Sequence, residues 1–327
     1  VQVWVHDMDV GDRRQVDLGE NEDIYVARVD WSNDSRTLYV QRQSRDQRTL
    51  ELLAVNPRTG ESRLVLTETN EHWVELTHDF TPLDDGGFLW SSDRDGNLHL
   101  YRYGADGALI NQVTQGDWPI RGVERVDEAA GLVWFGGSVE DPTQQHLYVT
   151  ALDGSGEPRQ VTSGQGWWTI DVGEGGVFVG NYSDPSTPPN TALYGTDGQR
   201  LRWIEANALD ESHPYWPYVG RHTTPTYGTI QAEDGSDLWY QILTPPDFDP
   251  ARRYPAIVEV YGGPGVQRVT RGWQSIASRL YLEAGYVVFR LDNRGSSNRS
   301  ADFQTALDRH LGTVEVDDQL TGLEWLR

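Results

Sequence analysis

The sequence predicts a partial β-propeller, made of all-β blades of about four strands each, followed by the N-terminal half of an α/β-hydrolase domain. Three observations support this fold class: a repeat of nearly 47 residues in the first two thirds, its disappearance near residue 207, and alternating strand and helix patterns after that point. We place the propeller part at residues 1–207 and the hydrolase part at residues 208–327. With 327 residues, the chain is long enough for two domains that each bury a core.

The repeat is visible as an apolar pair that recurs at steps of 49, 48, 47 and 46 residues. Each pair leads through a turn, such as Asp106-Gly107 or Asp197-Gly198, into a second apolar run, which is a hairpin signal. Further strand-like stretches give about four strands per period, as in a propeller blade. A large β-sandwich is the alternative. Because the repeat is already running at residue 3, we expect the first blades to be missing. The repeated pairs are Val3-Trp4, Leu52-Leu53, Leu100-Tyr101, Leu147-Tyr148 and Leu193-Tyr194.

The pattern changes after residue 207. Pro214, Pro217 and Pro225 occur in a stretch without strand alternation, and this composition is typical of a linker or hinge. A hairpin, a strand, a helix, a second strand and a second helix follow, which is the order in which an α/β-hydrolase sheet begins. The strand–helix–strand crossover predicts parallel pairing, and the absence of a later strand predicts an incomplete sheet. These elements are expected at residues 227–243, 256–261, 273–283, 286–291 and 313–327.

Charge and composition exclude several classes of partner. The formal net charge is −23, and all 27 basic residues are arginine. Such a field repels phosphate, so we expect no nucleic acid partner, and no apolar run approaches the roughly 18 residues of a membrane span. The absence of cysteine excludes thiolate metal sites, and His72, His78 and Asp79 have no independent further ligand. We therefore expect no metal and no other cofactor.

A serine nucleophile is the first group to search for in an α/β-hydrolase. It lies on a strained strand-to-helix turn with the pattern G-x-S-x-G, and an acid and a histidine follow it in the chain. No such pattern occurs in this sequence. His310 is the only histidine beyond the second predicted hydrolase strand, and nothing places it as a base. We expect the nucleophile, acid and base to lie outside residues 1–327, and this stretch alone to be inactive.

Tyr261 is the candidate catalytic residue. It ends the apolar run at residues 256–261 and precedes the sequence Gly262-Gly263-Pro264-Gly265. In α/β-hydrolases the loop after the third strand contributes to the oxyanion hole, and glycines let the backbone approach the tetrahedral intermediate. A tyrosine hydroxyl can donate a hydrogen bond to the developing negative charge, which is worth about 2.7–4 kcal/mol. The alternative is a buried tyrosine at a strand end, above a glycine-rich turn.

Several ordered motifs resemble the dipeptidyl peptidase IV family of serine peptidases, which is part of the prolyl oligopeptidase clan. The resemblance runs from about residue 50 to the last residue and passes through both predicted architectures in the right order. The motifs are residues 90–101 (WSSDRDGNLHLY), 255–264 (PAIVEVYGGP), 290–296 (RLDNRGS) and 311–319 (LGTVEVDDQ).

The resemblance implies a propeller that caps a hydrolase, with a Ser-Asp-His site that removes Xaa-Pro or Xaa-Ala dipeptides from peptide N-termini. Only Tyr261 matches a functional position of the family, as the side-chain donor of the oxyanion hole. The family's glutamate pair, which binds the substrate's ammonium group, has no match because no Glu-Glu occurs here, so substrate-binding residues stay unknown. Arg294, Glu315, Asp317 and Asp318 match positions expected to form ion pairs at the end of the sheet.

The resemblance also implies partners and leaves other functions open. Peptides with a free N-terminus are the expected partners, and family analogy is compatible with a homodimer formed through the hydrolase domain. The sequence does not determine localisation, and analogy with bacterial relatives favours the periplasm or secretion. Two alternatives stay open: a tripeptidyl or acylaminoacyl peptidase on the same scaffold, or a non-catalytic binding protein built from a propeller and a hydrolase remnant.

Overall fold

The computed structural model describes all 327 residues, which form two compact units. One unit contains residues 1–115, 126–133 and 150–157. The other contains residues 116–125, 134–149 and 158–327. The boundary near residue 207, drawn from where the repeat fades, stays a prediction.

Residues 24–205 form four sheets of four consecutive strands, and a two-stranded sheet precedes them. All strand pairs of the first, second and fourth four-stranded sheets are antiparallel. The strands are β1 (Trp4–His6) and β2 (Arg13–Gln15); β3 (Ile24–Trp31), β4 (Leu38–Ser44), β5 (Thr49–Val55) and β6 (Ser62–Thr69); β7 (Thr81–Pro82), β8 (Phe88–Ser92), β9 (His99–Tyr103) and β10 (Leu109–Gln112); β11 (Ile120–Asp127), β12 (Leu132–Gly137), β13 (His146–Ala151) and β14 (Arg159–Gln160); β15 (Trp167–Val172), β16 (Val177–Ser183), β17 (Asn190–Gly195) and β18 (Arg200–Glu205).

The repeated apolar pairs lie in the third strand of each four-stranded sheet, namely β5, β9, β13 and β17. Leu52, Leu100 and Leu147 are completely buried there, and the next residue in each strand is also buried. Consecutive buried residues show that both faces of these strands are covered, as they are in stacked blades. The separate four-stranded sheets confirm the predicted propeller-type blades and are not the two sheets of a sandwich.

The same polar contact occurs after the last strand of the second and third sheets. In the second sheet, Thr114 Oγ1 accepts a hydrogen bond from the backbone amide of Leu100 at 2.9 Å and lies 3.0 Å from His99 Nδ1. In the third sheet, Thr162 Oγ1 makes the same contacts, 3.1 Å each, with the amide of Leu147 and with His146 Nδ1. Burial lowers the pKa of His146 to about 4, so its ring is neutral and has a structural role.

The chain after residue 207 forms a mixed sheet with helices, as the sequence predicts. The sheet order is β19-β20-β22-β21, with β22 antiparallel to β20 and parallel to β21. The parallel pair confirms the predicted strand–helix–strand crossover and the partial α/β-hydrolase sheet. None of the helices combines the length and apolar character that a membrane crossing requires. The elements are a 3-10 helix (Trp216–Arg221), β19 (Thr226–Gln231), β20 (Asp237–Leu243), β21 (Ala256–Val258), α1 (Ile276–Glu283), β22 (Val287–Leu291), α2 (Ala301–Thr305) and α3 (Val314–Leu326).

The proline-rich segment before this sheet is more ordered than its linker composition suggests. The imidazole of His222 stacks on the Trp273 ring with centroids 4.8 Å apart, and its Nε2 lies 2.7 Å from the carbonyl oxygen of Pro185. Arg279 of α1 also contacts this cluster, with its guanidinium 5.3 Å from the Trp273 ring centre and its Nη2 3.2 Å from His222 Nε2. The segment is therefore fixed between the fourth sheet and α1 by ring contacts, which a composition argument does not anticipate.

Candidate active site

The candidate site lies where two parallel strands end. Since β21 and β22 are parallel, their carboxyl ends lie at the same edge of the sheet, where open α/β sheets bind ligands. Tyr261 follows β21, and Asp292 and Asn293 follow β22. Sequence positions about 30 residues apart are thus brought to one place by the crossover.

Tyr261 lies on the surface of this edge. Its side chain is 56% exposed, and its hydroxyl makes no hydrogen bond within the chain. The next residues turn sharply, since Gly262 and Gly265 have φ angles of +79° and +75°, which favour glycine. A Cβ atom on Gly263 would lie 3.0 Å from the tyrosine ring, so the glycine leaves room for this ring orientation. The buried tyrosine that was the alternative interpretation is not what the structure contains.

The residues after β22 hold the glycine-rich turn. Asn293 Nδ2 donates to the carbonyl oxygen of Gly262 at 3.4 Å, and the amide of Gly265 donates to the carbonyl oxygen of Gly295 at 2.9 Å. Gln319 of α3 fixes Asn293 in turn, because its Nε2 donates to Asn293 Oδ1 at 3.0 Å. The turn is therefore attached to the sheet and, through Asn293, to α3.

A buried arginine fixes the chain just before Tyr261. Arg290 Nε donates to Glu259 Oε2 at 2.6 Å, and Arg290 is only 7% exposed. Its other guanidinium nitrogens donate to Gln241, Gln274 and Ser278, so the charge is fully hydrogen-bonded. A buried ion pair of this kind sets geometry more than it adds stability.

Asp292 fixes the chain after the turn. Its carboxylate is buried and accepts hydrogen bonds from the backbone amides of Arg268 at 2.6 Å and Val269 at 3.1 Å. Burial raises the pKa of Asp292 to about 7, although these two hydrogen bonds and the positive charges of Arg299 and Arg121 act in the opposite direction.

The third four-stranded sheet also contacts this segment. Arg121 of β11 donates through Nη2 to Gln267 Oε1 at 2.9 Å, and burial lowers the pKa of this arginine to about 9. Gln267 Nε2 donates to the carbonyl oxygen of Pro142 at 2.6 Å, and Arg271 Nε donates to Asp141 Oδ2 at 3.0 Å. Residues 267–271, which we call the strap, are thus held both by Asp292 and by loop 141–143.

The expected ion pairs at the end of the sheet are formed in part. Arg294 donates to Asp318 through its amide at 2.8 Å and through Nη2 at 2.7 Å, and Asp318 is almost completely buried. The second partner of Arg294 is Asp234, at 2.8 Å. Glu315 accepts instead from the amide of Gly312, and Asp317 is exposed, so the grouping predicted from the sequence was too broad.

Sequence reasoning singled out Tyr261 but missed the residues that hold its loop, chiefly Asp292, Arg121 and Gln267. One signal was available. Asp292 is the first acidic residue after the fully buried strand β22, at the carboxyl end of a parallel strand. Arg121 had no such signal, because its contact with the strap comes from a different sheet.

Four-stranded blades, a sheet that begins with an antiparallel hairpin and a parallel crossover, and a tyrosine above a glycine-rich turn define a propeller-bearing α/β-hydrolase. Comparison with known proteins identifies the family within this class. Residues 1–189 match the family described as dipeptidyl peptidase IV (DPP IV) N-terminal region, and residues 273–327 match the prolyl oligopeptidase family. The chain belongs to the dipeptidyl peptidase IV family, which confirms the resemblance seen in the sequence motifs.

Similar proteins are longer than this chain. Dipeptidyl peptidase 8 of Mus musculus is 26% identical, over 92% of this chain and 40% of that protein. "Probable dipeptidyl-aminopeptidase B" of Emericella nidulans is 30% identical, over 99% of this chain and 38% of that protein. The crystal structure of Porphyromonas gingivalis dipeptidyl peptidase 4 supports the fold, with a TM-score of 0.90, 24% identity, and coverage of 99% of this chain and 46% of that one. The chain spans about 40% of the length of the curated relatives it matches.

Proposed function

We propose that the full-length protein containing this chain is a serine exopeptidase of dipeptidyl peptidase IV type, which releases Xaa-Pro and Xaa-Ala dipeptides from peptides with a free N-terminus. Family membership supports the reaction class. The single structural observation that carries the proposal is Tyr261, whose exposed hydroxyl lies at the carboxyl ends of two parallel strands. We propose that this hydroxyl donates a hydrogen bond to the oxyanion of the tetrahedral intermediate.

The geometry around Tyr261 suits this role. An oxyanion donor is effective when it is already in place before negative charge develops, so that no reorganisation is needed during the reaction. The chain is fixed on both sides of Tyr261, by the Glu259–Arg290 pair before it and by the hydrogen bond from Asn293 to Gly262 after it. The hydroxyl itself has no partner in the chain and is free to bind a substrate oxygen.

Two alternatives differ from this proposal in measurable ways. A tripeptidyl or acylaminoacyl peptidase would use the same oxyanion donor but release a different product, which mass spectrometry of the cleaved peptide identifies. A non-catalytic binding protein would bind peptides without turnover. We also propose, by family analogy, a homodimer formed through the hydrolase domain, which sedimentation of the full-length protein tests.

The test of the proposed function is Tyr261→Phe in the full-length protein, assayed with an Xaa-Pro chromogenic amide. We expect kcat to fall by about 10²- to 10³-fold with little change in KM, since the contact is made mainly in the transition state. Tyr281→Phe is the matched control, because Tyr281 is a partly exposed tyrosine of α1. An unchanged kcat in Tyr261→Phe would refute the role of this hydroxyl, and the absence of any Ser-reagent-sensitive hydrolysis by the full-length protein would refute the peptidase.

A further inference from the structure

The carboxylate of Asp292 is buried, and its hydrogen bonds are to backbone amides of the segment that follows the glycine-rich turn. We propose that Asp292 is a positioning residue for Tyr261: it fixes the strap, residues 267–271, and through it the glycine-rich turn that presents the hydroxyl. This inference rests on the function proposed above, in which Tyr261 is the oxyanion donor.

The contacts of Asp292 reach the right part of the chain. Its Oδ1 accepts hydrogen bonds from the consecutive amides of Arg268 and Val269, at 2.6 and 3.1 Å, and its Oδ2 lies 3.3 Å from the amide nitrogen of Val269. These amides belong to the strap, and Arg268 lies only three residues after Gly265, the last residue of the glycine-rich turn. The backbone amide of Asp292 donates to the carbonyl oxygen of Trp239 at 2.8 Å, so Asp292 is itself held by β20.

Asp292 is part of a continuous attachment. Asn293 binds the carbonyl oxygen of Gly262, and Gly295 accepts from the amide of Gly265. Residues 292–295 therefore contact the first residue of the glycine-rich turn, its last residue and the strap that follows it. Of these three attachments, only that of Asp292 uses an ionisable acceptor, its carboxyl group. An ionised acceptor forms a stronger hydrogen bond than a neutral one.

The strength of this attachment depends on the charge of Asp292. Two guanidinium groups face it, Arg121 from β11 and Arg299 from the segment before α2, while Arg268 approaches with its backbone amide. Burial raises the pKa of Asp292 to about 7, so the carboxyl changes its charge near neutral pH. Below pH 7 it becomes protonated, and a neutral carboxyl is a weaker acceptor for the two amides.

The first experiment is a double-mutant cycle in the full-length protein. Asp292→Asn keeps the shape but removes the negative charge and places an amide donor near the backbone amide of Val269, and we expect kcat to fall by about 10- to 100-fold with KM nearly unchanged. In the Tyr261→Phe background the same substitution should change kcat by less than about twofold, because its effect is transmitted through the hydroxyl. Asp302→Asn, an exposed aspartate of α2, is the matched control.

The second experiment needs no substitution of Asp292 and stays decisive if Asp292→Asn does not fold. The ratio of kcat between the wild type and Tyr261→Phe is measured from pH 5 to 9. Groups that titrate in both proteins cancel in this ratio. We expect the ratio to fall by about tenfold or more as the pH decreases through about 7, the pKa of Asp292.

The outcomes separate this inference from the proposed function. If Tyr261→Phe has no effect on kcat, the proposed role of Tyr261 is wrong, and the positioning role of Asp292 is then wrong as well. If Tyr261→Phe lowers kcat but the effect of Asp292→Asn is equally large in both backgrounds, Asp292 does not act through Tyr261 and only the inference is overturned. A kcat ratio that is constant between pH 5 and 9 overturns it as well.

Discussion

Removal of the Asp318 carboxylate is expected to destabilise the contact between α3 and β22 by about 3–5 kcal/mol, the usual result of breaking a buried ion pair from one side. In Asp318→Ala, Arg294 keeps its position after β22 but loses the acceptor of its amide, Nε and Nη2. The side chain of Asp318 is 2% exposed and that of Arg294 is 13% exposed, so the pair is shielded from solvent.

The magnitude follows from the individual contacts. Asp318 accepts from Arg294 at 2.8 Å from the amide, 3.1 Å from Nε and 2.7 Å from Nη2. A buried donor without an acceptor costs about 1–3 kcal/mol, and more when it is charged. Asp234 still binds Nη1, but its side chain is 47% exposed, so this contact adds little in compensation.

Amide hydrogen exchange of the full-length protein measures this effect locally. We expect the amides of β22 to exchange about 10²- to 10⁴-fold faster in Asp318→Ala, since tenfold corresponds to 1.36 kcal/mol. Asp317→Ala is the control, because Asp317 lies on the same helix but is exposed, and its loss should change exchange by less than about tenfold. Equal exchange rates in the two variants would show that the ion pair does not hold α3 on the sheet.

Two further predictions concern the fragment and the glycine that supports the turn. Residues 1–327 expressed alone are expected not to hydrolyse an Xaa-Pro chromogenic amide above background, because the sequence has no G-x-S-x-G, and hydrolysis sensitive to a serine reagent would contradict this. Gly295→Ala should lower the free energy of unfolding by about 2–4 kcal/mol, since φ is +98° and the new Cβ would lie 2.2 Å from Leu307 Cδ1. Gly285→Ala, also at positive φ but with no atom within 4 Å of the new Cβ, should cost only about 1 kcal/mol, and thermal unfolding that gives equal losses would exclude the clash.

Local signals account for most of what the sequence predicted about the fold. The apolar pairs and Asp-Gly turns predicted one hairpin in each blade, because a hairpin depends on residues that are neighbours in the chain. The order hairpin, strand, helix, strand predicted the parallel pair β21–β22, because a helix between two strands of one sheet is typical of a parallel crossover. The strand before Tyr261 ended earlier than predicted, at Val258, and the amide of Glu259 makes the last backbone hydrogen bond to β22, with the carbonyl oxygen of Phe289.

The support of the candidate site depends on contacts that a sequence does not display. Asp292 binds the backbone amides of Arg268 and Val269, and amides are present at every residue except proline, so no side-chain pattern indicates this contact. The guanidinium of Arg121 comes from another sheet, and its pairing with Gln267 depends on tertiary packing alone. Tyr261 could be named because a glycine-rich loop after a buried strand has a known chemical use.

The strap has a consequence for the interpretation of substitutions in the blade. Arg271 donates to Asp141, and Gln267 donates to the carbonyl oxygen of Pro142. Loop 141–143 therefore helps to stabilise the observed conformation of the strap. Under the role proposed for Tyr261, a substitution that moves loop 141–143 is therefore expected to change kcat without touching the reacting atoms. By reciprocity, a ligand that binds Tyr261 and fixes the strap is expected to stabilise loop 141–143 as well.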